Sequence, residues 1–164
     1  MKTARVGSDD RVGFTHLDAR GRAVMVDVTG KAVTVRRAIT SGRVVGITDA
    51  PRVIANQIEI LTEARMAGLG AAKATSTLVP LCHPLPLEAI AIDFLVEPHV
   101  IEVRATAETI GQTGVEMEAL CACAVAALSV LGRVRENDPD ASIEALGLLE
   151  KRGGRSGLWR RGEQ

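Results

Sequence analysis

The chain has 164 residues, with 20 Lys+Arg balanced by 20 Asp+Glu, 46% hydrophobic and 24% charged residues. This composition suits one folded core and excludes a disordered chain. Zero net charge removes the long-range attraction that a nucleic-acid or anionic-membrane binder needs. Phe14, Phe94 and Trp159 are the only aromatics, so the core must be aliphatic and stacking platforms for single strands are missing.

The longest apolar stretch, Cys121 to Leu131, is interrupted by Ser129 and falls short of the roughly 20 residues that span a bilayer. Met1 to Gly13 has no apolar segment of the kind an export signal carries, so a cytoplasmic address is expected. The three cysteines, Cys82, Cys121 and Cys123, read as reduced thiols. Lysines are scarce, at Lys2, Lys31, Lys73 and Lys151 only, which makes each one worth locating.

Residues 1–13 read as a flexible arm, 14–159 as one domain and 160–164 as a tail. Ala23 to Thr29 alternates apolar and polar residues and predicts a strand. Ala32 to Thr40 and Arg43 to Ile47 predict further strand structure around a Ser41-Gly42 turn. Asp49 and Pro51 signal a helix start near residue 50. Ile54, Ile58, Leu61, Ala64 and Met66 carry the helical period, and Gly68 and Gly70 imply a close approach by another element. Leu87–Val96 and Val100–Thr109 predict a hairpin whose second strand turns Ile101, Val103, Ala105 and Ala107 to one side. Thr113 and Glu116 have capping-box spacing ahead of a nearly all-apolar helix reaching about Arg133, and oligomer burial is expected of such a helix. Ala141 to Leu149 reads as a strand, followed by a basic glycine-rich turn, Lys151 to Gly157. The order predicts an α+β fold, ferredoxin-like, with helices on one face of a mainly antiparallel sheet.

Each candidate site has two readings. His83 lies in a turn stiffened by Pro80 and Pro84, which can hold an imidazole for binding or proton transfer or simply satisfy a local hydrogen bond. Glu116 serves the capping box and Glu118 the helix dipole, and at two residues apart they project in different directions. Cys121 and Cys123 read as small buried hydrophobes, with no metal expected. The basic turn lacks the P-loop spacing but could cradle an anion, and with His83 and Lys73 it makes a candidate anion site.

The strings Met25-Val-Asp-Val28, Leu81-Cys-His-Pro-Leu85, Thr113-Gly-Val-Glu-Met-Glu-Ala-Leu120 and Lys151 to Gly157, in this order, resemble the molybdenum cofactor biosynthesis protein C family of cyclic pyranopterin monophosphate synthases. The resemblance implies a ferredoxin-like subunit assembled as a homo-oligomer, a hexamer built as a trimer of dimers, with its site at a subunit interface. It implies conversion of 3′,8-cyclo-7,8-dihydro-GTP into cyclic pyranopterin monophosphate with loss of pyrophosphate, without a cofactor. The partner is then a small purine nucleotide or pterin, with neither nucleic acid nor membrane involved. By position, Leu81, Cys82, His83, Met117 and Glu118 line the substrate site, Glu116 supports them, and Lys73, Lys151 and Arg155 are its cations. The family's catalytic aspartate and lysine positions hold Gly132 and Arg135, and its Lys-Gly-Asp segment reads Gln57-Ile58-Glu59. Two expectations follow: a working synthase in which groups such as Glu59, Glu136 or Asp138 substitute, or a paralogue that binds a nucleotide or pterin, or serves as a partner subunit, without the standard turnover.

Overall fold

A computed structural model describes residues 16, 18, 20–155 and 157–162. The arm expected over residues 1–13 and the last two residues of the tail lie outside the described residues.

The elements in chain order are β1 (Thr34–Val45), α1 (Ala50–Asn56), α2 (Glu59–Lys73), α3 (Thr75–Leu78), β2 (Ala89–Glu97), β3 (Val100–Gly111), α4 (Glu116–Val134), β4 (Ser142–Arg152) and β5 (Leu158–Arg160). The five strands form one sheet in the order β2-β3-β1-β4-β5, antiparallel throughout. The first four strands and the helices α2 and α4 have the α+β, ferredoxin-like arrangement. Both helices lie on one face of the sheet.

The predicted hairpin is β2-β3, with Ala89 opposite Glu108 and Glu97 opposite Val100. Ile101, Val103, Ala105 and Ala107 are fully buried, as the alternation requires. The first three meet Ala122, Cys123, Ala126, Ala127 and Val130 of α4 in an aliphatic core, and Ala107 joins Ala38, Val115 and Ala119 in a second cluster. Asp49 caps α1, its carboxylate accepting from the Arg52 amide at 3.1 Å, with Pro51 in the first turn.

α2 and α4 pack antiparallel and close. A Cβ on Gly68 would fall on Ile92 Cδ1 and 2.7 Å from the Ala122 carbonyl oxygen, which explains a glycine in mid-helix. Gly70 faces open space and nothing in the structure explains it. The apolar length of α4 would suffice to cross a membrane, but it is the core helix of this sheet-and-helix layer.

Four expectations are corrected. Residues 23–29 form no strand: β1 is already paired on both edges, and the alternation instead turns Val26 and Val28 into a cavity wall. Strand β1 runs straight through Ser41-Gly42, where its register with β4 shifts and a Cβ on Gly42 would press on Leu146 Cδ1 at 3.1 Å. The helix predicted from residue 50 is three helices. Thr113 does not cap α4, whose N-cap is Val115 with no side-chain hydrogen bond. Glu116 instead folds its carboxylate back over Gly114, into the space a Cβ there would take, and pairs with Lys151 Nζ at 3.5 Å.

Candidate active site

The start of α4, the proline-bounded turn and the segment before β1 enclose a cavity of about 310 Å³. Thr113, Gly114, Glu116, Met117 and Glu118 form its floor, and Leu81, Cys82, His83 and Leu85 one wall. His16, Val26, Val28 and Lys31 form the other. The turn is held to the sheet by the Thr109 hydroxyl, which donates to the Pro86 carbonyl, and by the Glu88 amide, which donates to Glu108 O at 2.9 Å. Leu81 stands at φ +66°, in the left-handed region where a branched side chain is strained, so the packing around it dictates this shape. On the helix side, the buried Thr40 hydroxyl donates to Ala119 O at 2.9 Å and ties the first turns of α4 to β1.

Glu118 is only 5% exposed. Burial pushes its carboxyl above the ordinary value, and the neighbouring Glu116 adds to the shift. It is therefore biased toward the protonated form and suited to exchange a proton. Burial, then Glu118 and Cys121, push the Cys82 thiol up, which disfavours the thiolate a nucleophile would need. Cys123 is pushed up to about 11 by burial, and its thiol donates to Val103 O at 3.4 Å in the core.

A second hollow of about 900 Å³ adjoins the cavity and shares Lys31, Thr113 and Gly114 with it. Arg36 and Arg155 line it. Arg36 donates to the carbonyls of Gly111 and Gln112 and lies against Gly153 and Gly154, both at positive φ, so the basic hairpin is moulded around a guanidinium. Lys151, with Arg37 and Arg152, lines a narrow cleft on the far side of Glu116. The result is a half-buried acid–imidazole cavity opening into a basic trough, an arrangement that fits an anionic ligand carrying a polar ring.

The structure thus brings together Leu81, Cys82, His83, Glu116, Met117 and Glu118, with Lys151 and Arg155 around the rim. The expectation that Glu116 and Glu118 point apart is corrected: the folded-back Glu116 faces the same cavity as Glu118. Lys73 lines a separate hollow of about 350 Å³, which meets the cavity only at Leu85. Gly132 and Arg135 lie at the other end of α4, about 21 Å and about 26 Å from Glu118 at roughly 1.5 Å per residue. A Cβ on Gly132 would meet open space, and Arg135 donates to Pro139 O at 3.2 Å. Glu59, Glu136 and Asp138 do not line the cavity, and Asp138 accepts from the Thr48 amide and hydroxyl. Sequence reading missed His16, Lys31 and the valine pair; the rarity of lysine was the one available signal for Lys31.

The MoaC family model matches residues 25–154, a span that holds the turn, the start of α4 and the basic hairpin. The chain belongs to the MoaC family. Curated relatives in that family carry the name cyclic pyranopterin monophosphate synthase. The protein of that name from Novosphingobium aromaticivorans is 50% identical over 154 residues, covering 92% of this chain and 98% of its own. That from Thermomicrobium roseum is 46% identical over 154 residues, covering 90% and 93%. That from Chloroflexus aggregans is 45% identical over 163 residues, covering 96% and 98%. Identity at this level over nearly the full length of each relative extends the MoaC resemblance well beyond the short strings that first suggested it.

Proposed function

We propose that the chain is a cyclic pyranopterin monophosphate synthase of molybdenum cofactor biosynthesis, a lyase acting on 3′,8-cyclo-7,8-dihydro-GTP. The observation that carries this reading is the family match over the segments that build the cavity, where His83 and the buried Glu118 face one space beside a basic trough. Ring opening and pterin closure need groups that give and take protons, and His83 and Glu118 supply them. Closure of the cyclic phosphate forms a bond from a substrate hydroxyl to the first phosphorus and breaks the bond to the second, releasing pyrophosphate. Lys31, Lys151 and Arg155 hold the polyphosphate and take up the charge that develops on the leaving group.

The proposed assembly is a homo-oligomer, a hexamer in the family's manner, with the site completed across a subunit interface. The distance of Gly132 and Arg135 from the cavity supports it, as does the exposure of Met66 at 65% and Leu128 at 56% on the outer helix layer. A cytoplasmic location accompanies this reading. Purified protein incubated with 3′,8-cyclo-7,8-dihydro-GTP should release pyrophosphate in step with a pterin detected as its fluorescent oxidation product. Tight binding of that nucleotide with neither product would overturn the synthase reading.

A further inference from the structure

The cavity is lined by a second imidazole besides His83, that of His16, to which neither the sequence nor the relatives' names give a role. Its place is fixed by a knot of hydrogen bonds. The Val24 amide donates to the His16 carbonyl at 2.9 Å, and the Asp18 amide donates to Arg22 O at 2.9 Å. The Asp18 carboxylate accepts from the Arg20 amide at 2.8 Å, the Arg22 amide at 2.9 Å and Arg22 Nε at 2.8 Å. These five bonds close the turn that sets His16 against the cavity, while the imidazole itself makes no hydrogen bond among the described residues.

The charge around it is divided. His16 and Lys31, from the segment before β1, line the cavity together with Glu116 and Glu118 from the start of α4. Lys31 also lines the basic trough, as do Thr113 and Gly114, so cavity and trough meet beside Lys31, while His16 lines the cavity alone. A nucleotide with its ring over the carboxylates and its polyphosphate in the trough places its first phosphate at that junction. Imidazole N–H donors are suited to a phosphate oxygen there.

Building on the proposed function, we propose that His16 is a substrate-contacting residue that donates a hydrogen bond to the phosphate nearest the ring. The Asp18 turn is the device that positions it.

The test uses full-length protein with GTP and guanosine as probes, so that binding is read without turnover. Removing a hydrogen bond to a charged group lowers affinity by about tenfold or more. His16→Ala should therefore weaken GTP by about tenfold and leave guanosine unchanged, with His16→Gln, which keeps a donor, falling between. Asp18→Ala, which loosens the turn and leaves the imidazole, should weaken GTP by less. The His16 ring signals in NMR spectra, assigned by their loss in His16→Gln, should move with GTP and stay put with guanosine. Unchanged GTP affinity in His16→Ala, an equal loss for both probes, ring signals that ignore GTP, or no GTP binding by the wild type would each overturn the proposal. Product formation by the wild type with any of these results would sink the His16 contact and leave the synthase reading standing. The expected binding pattern without product would do the reverse.

Discussion

The two ends of α4 are built from the same kinds of residue to opposite ends. At the first turn, Glu116 and Glu118 converge with His83 on a cavity, and Glu118 is buried with its carboxyl shifted upward. At the last turn the charged groups are satisfied at the surface by partners outside the helix. Arg133 makes a two-pronged contact with the Glu63 carboxylate at 2.9 to 3.1 Å, and Arg135 donates to Pro139 O. Gly132 beside them presents no side chain at all. The contrast teaches that burial, and not the mere presence of acids and bases, separates a chemical site from a solvated helix end. Within the proposed function, the proton-handling groups are those gathered around the start of α4.

The largest effect should come from Glu118→Gln, which keeps the shape and removes the proton exchange. Turnover should fall about 100-fold or more. The same change should raise the melting temperature. A carboxyl whose folded pKa lies above its unfolded value binds more protons when folded, so stability is lost as pH rises from the unfolded value through the folded one. Once the pH is high enough to ionise it, the buried Glu118 is a cost that the amide removes. A lower melting temperature would show that the carboxylate is structural.

Between the two ends, Gly68→Ala should cost about 1–3 kcal/mol in denaturant unfolding, because the new Cβ falls on Ile92 and the α4 backbone. A neutral or stabilising result, as helix propensity alone would give, would mean that α2 and α4 are not in such close contact. At the far end, the double change Gly132→Asp and Arg135→Lys enters open space and should fold normally. It should raise turnover by about an order of magnitude if that end meets a neighbouring subunit's cavity. No gain would confine the chemistry to the first turn of α4 and its surroundings.

Smaller effects belong to the rim. Lys151→Ala should raise KM about fivefold at low salt and less at high salt, since a partly exposed cation is screened. In alkylation at neutral pH, Cys123 should stay unmodified, and Cys82 should react a few times faster in Glu118→Gln, where the neighbouring negative charge is gone. Equal Cys82 rates in the two proteins would remove Glu118 from its surroundings.

Much of this was legible in the sequence, where local signals and packing agree. The hairpin, the Asp49 cap and the proline-bounded turn follow from periodicity and from residues whose conformations are restricted. The failures occur where tertiary demand wins. Ser41-Gly42 carries a turn signal, but a strand paired on both edges absorbs it as a change of register. Thr113 has capping-box spacing, but its partner glutamate is drawn back over Gly114 and toward Lys151. Val26 and Val28 alternate like a strand because one side faces a cavity. Of the candidate site, the resemblance supplied the turn and the helix start. His16 escaped because nothing local links it to residues so far along the chain, and only the Asp18 turn places it there.

The most direct measurement is a single-turnover reaction of wild type and His83→Asn with 3′,8-cyclo-7,8-dihydro-GTP, following the fluorescent pterin derivative. The wild type should form product while His83→Asn binds the nucleotide and forms at least tenfold less in the same time. Equal product from both proteins, or none from the wild type, would contradict a synthase site centred on the start of α4.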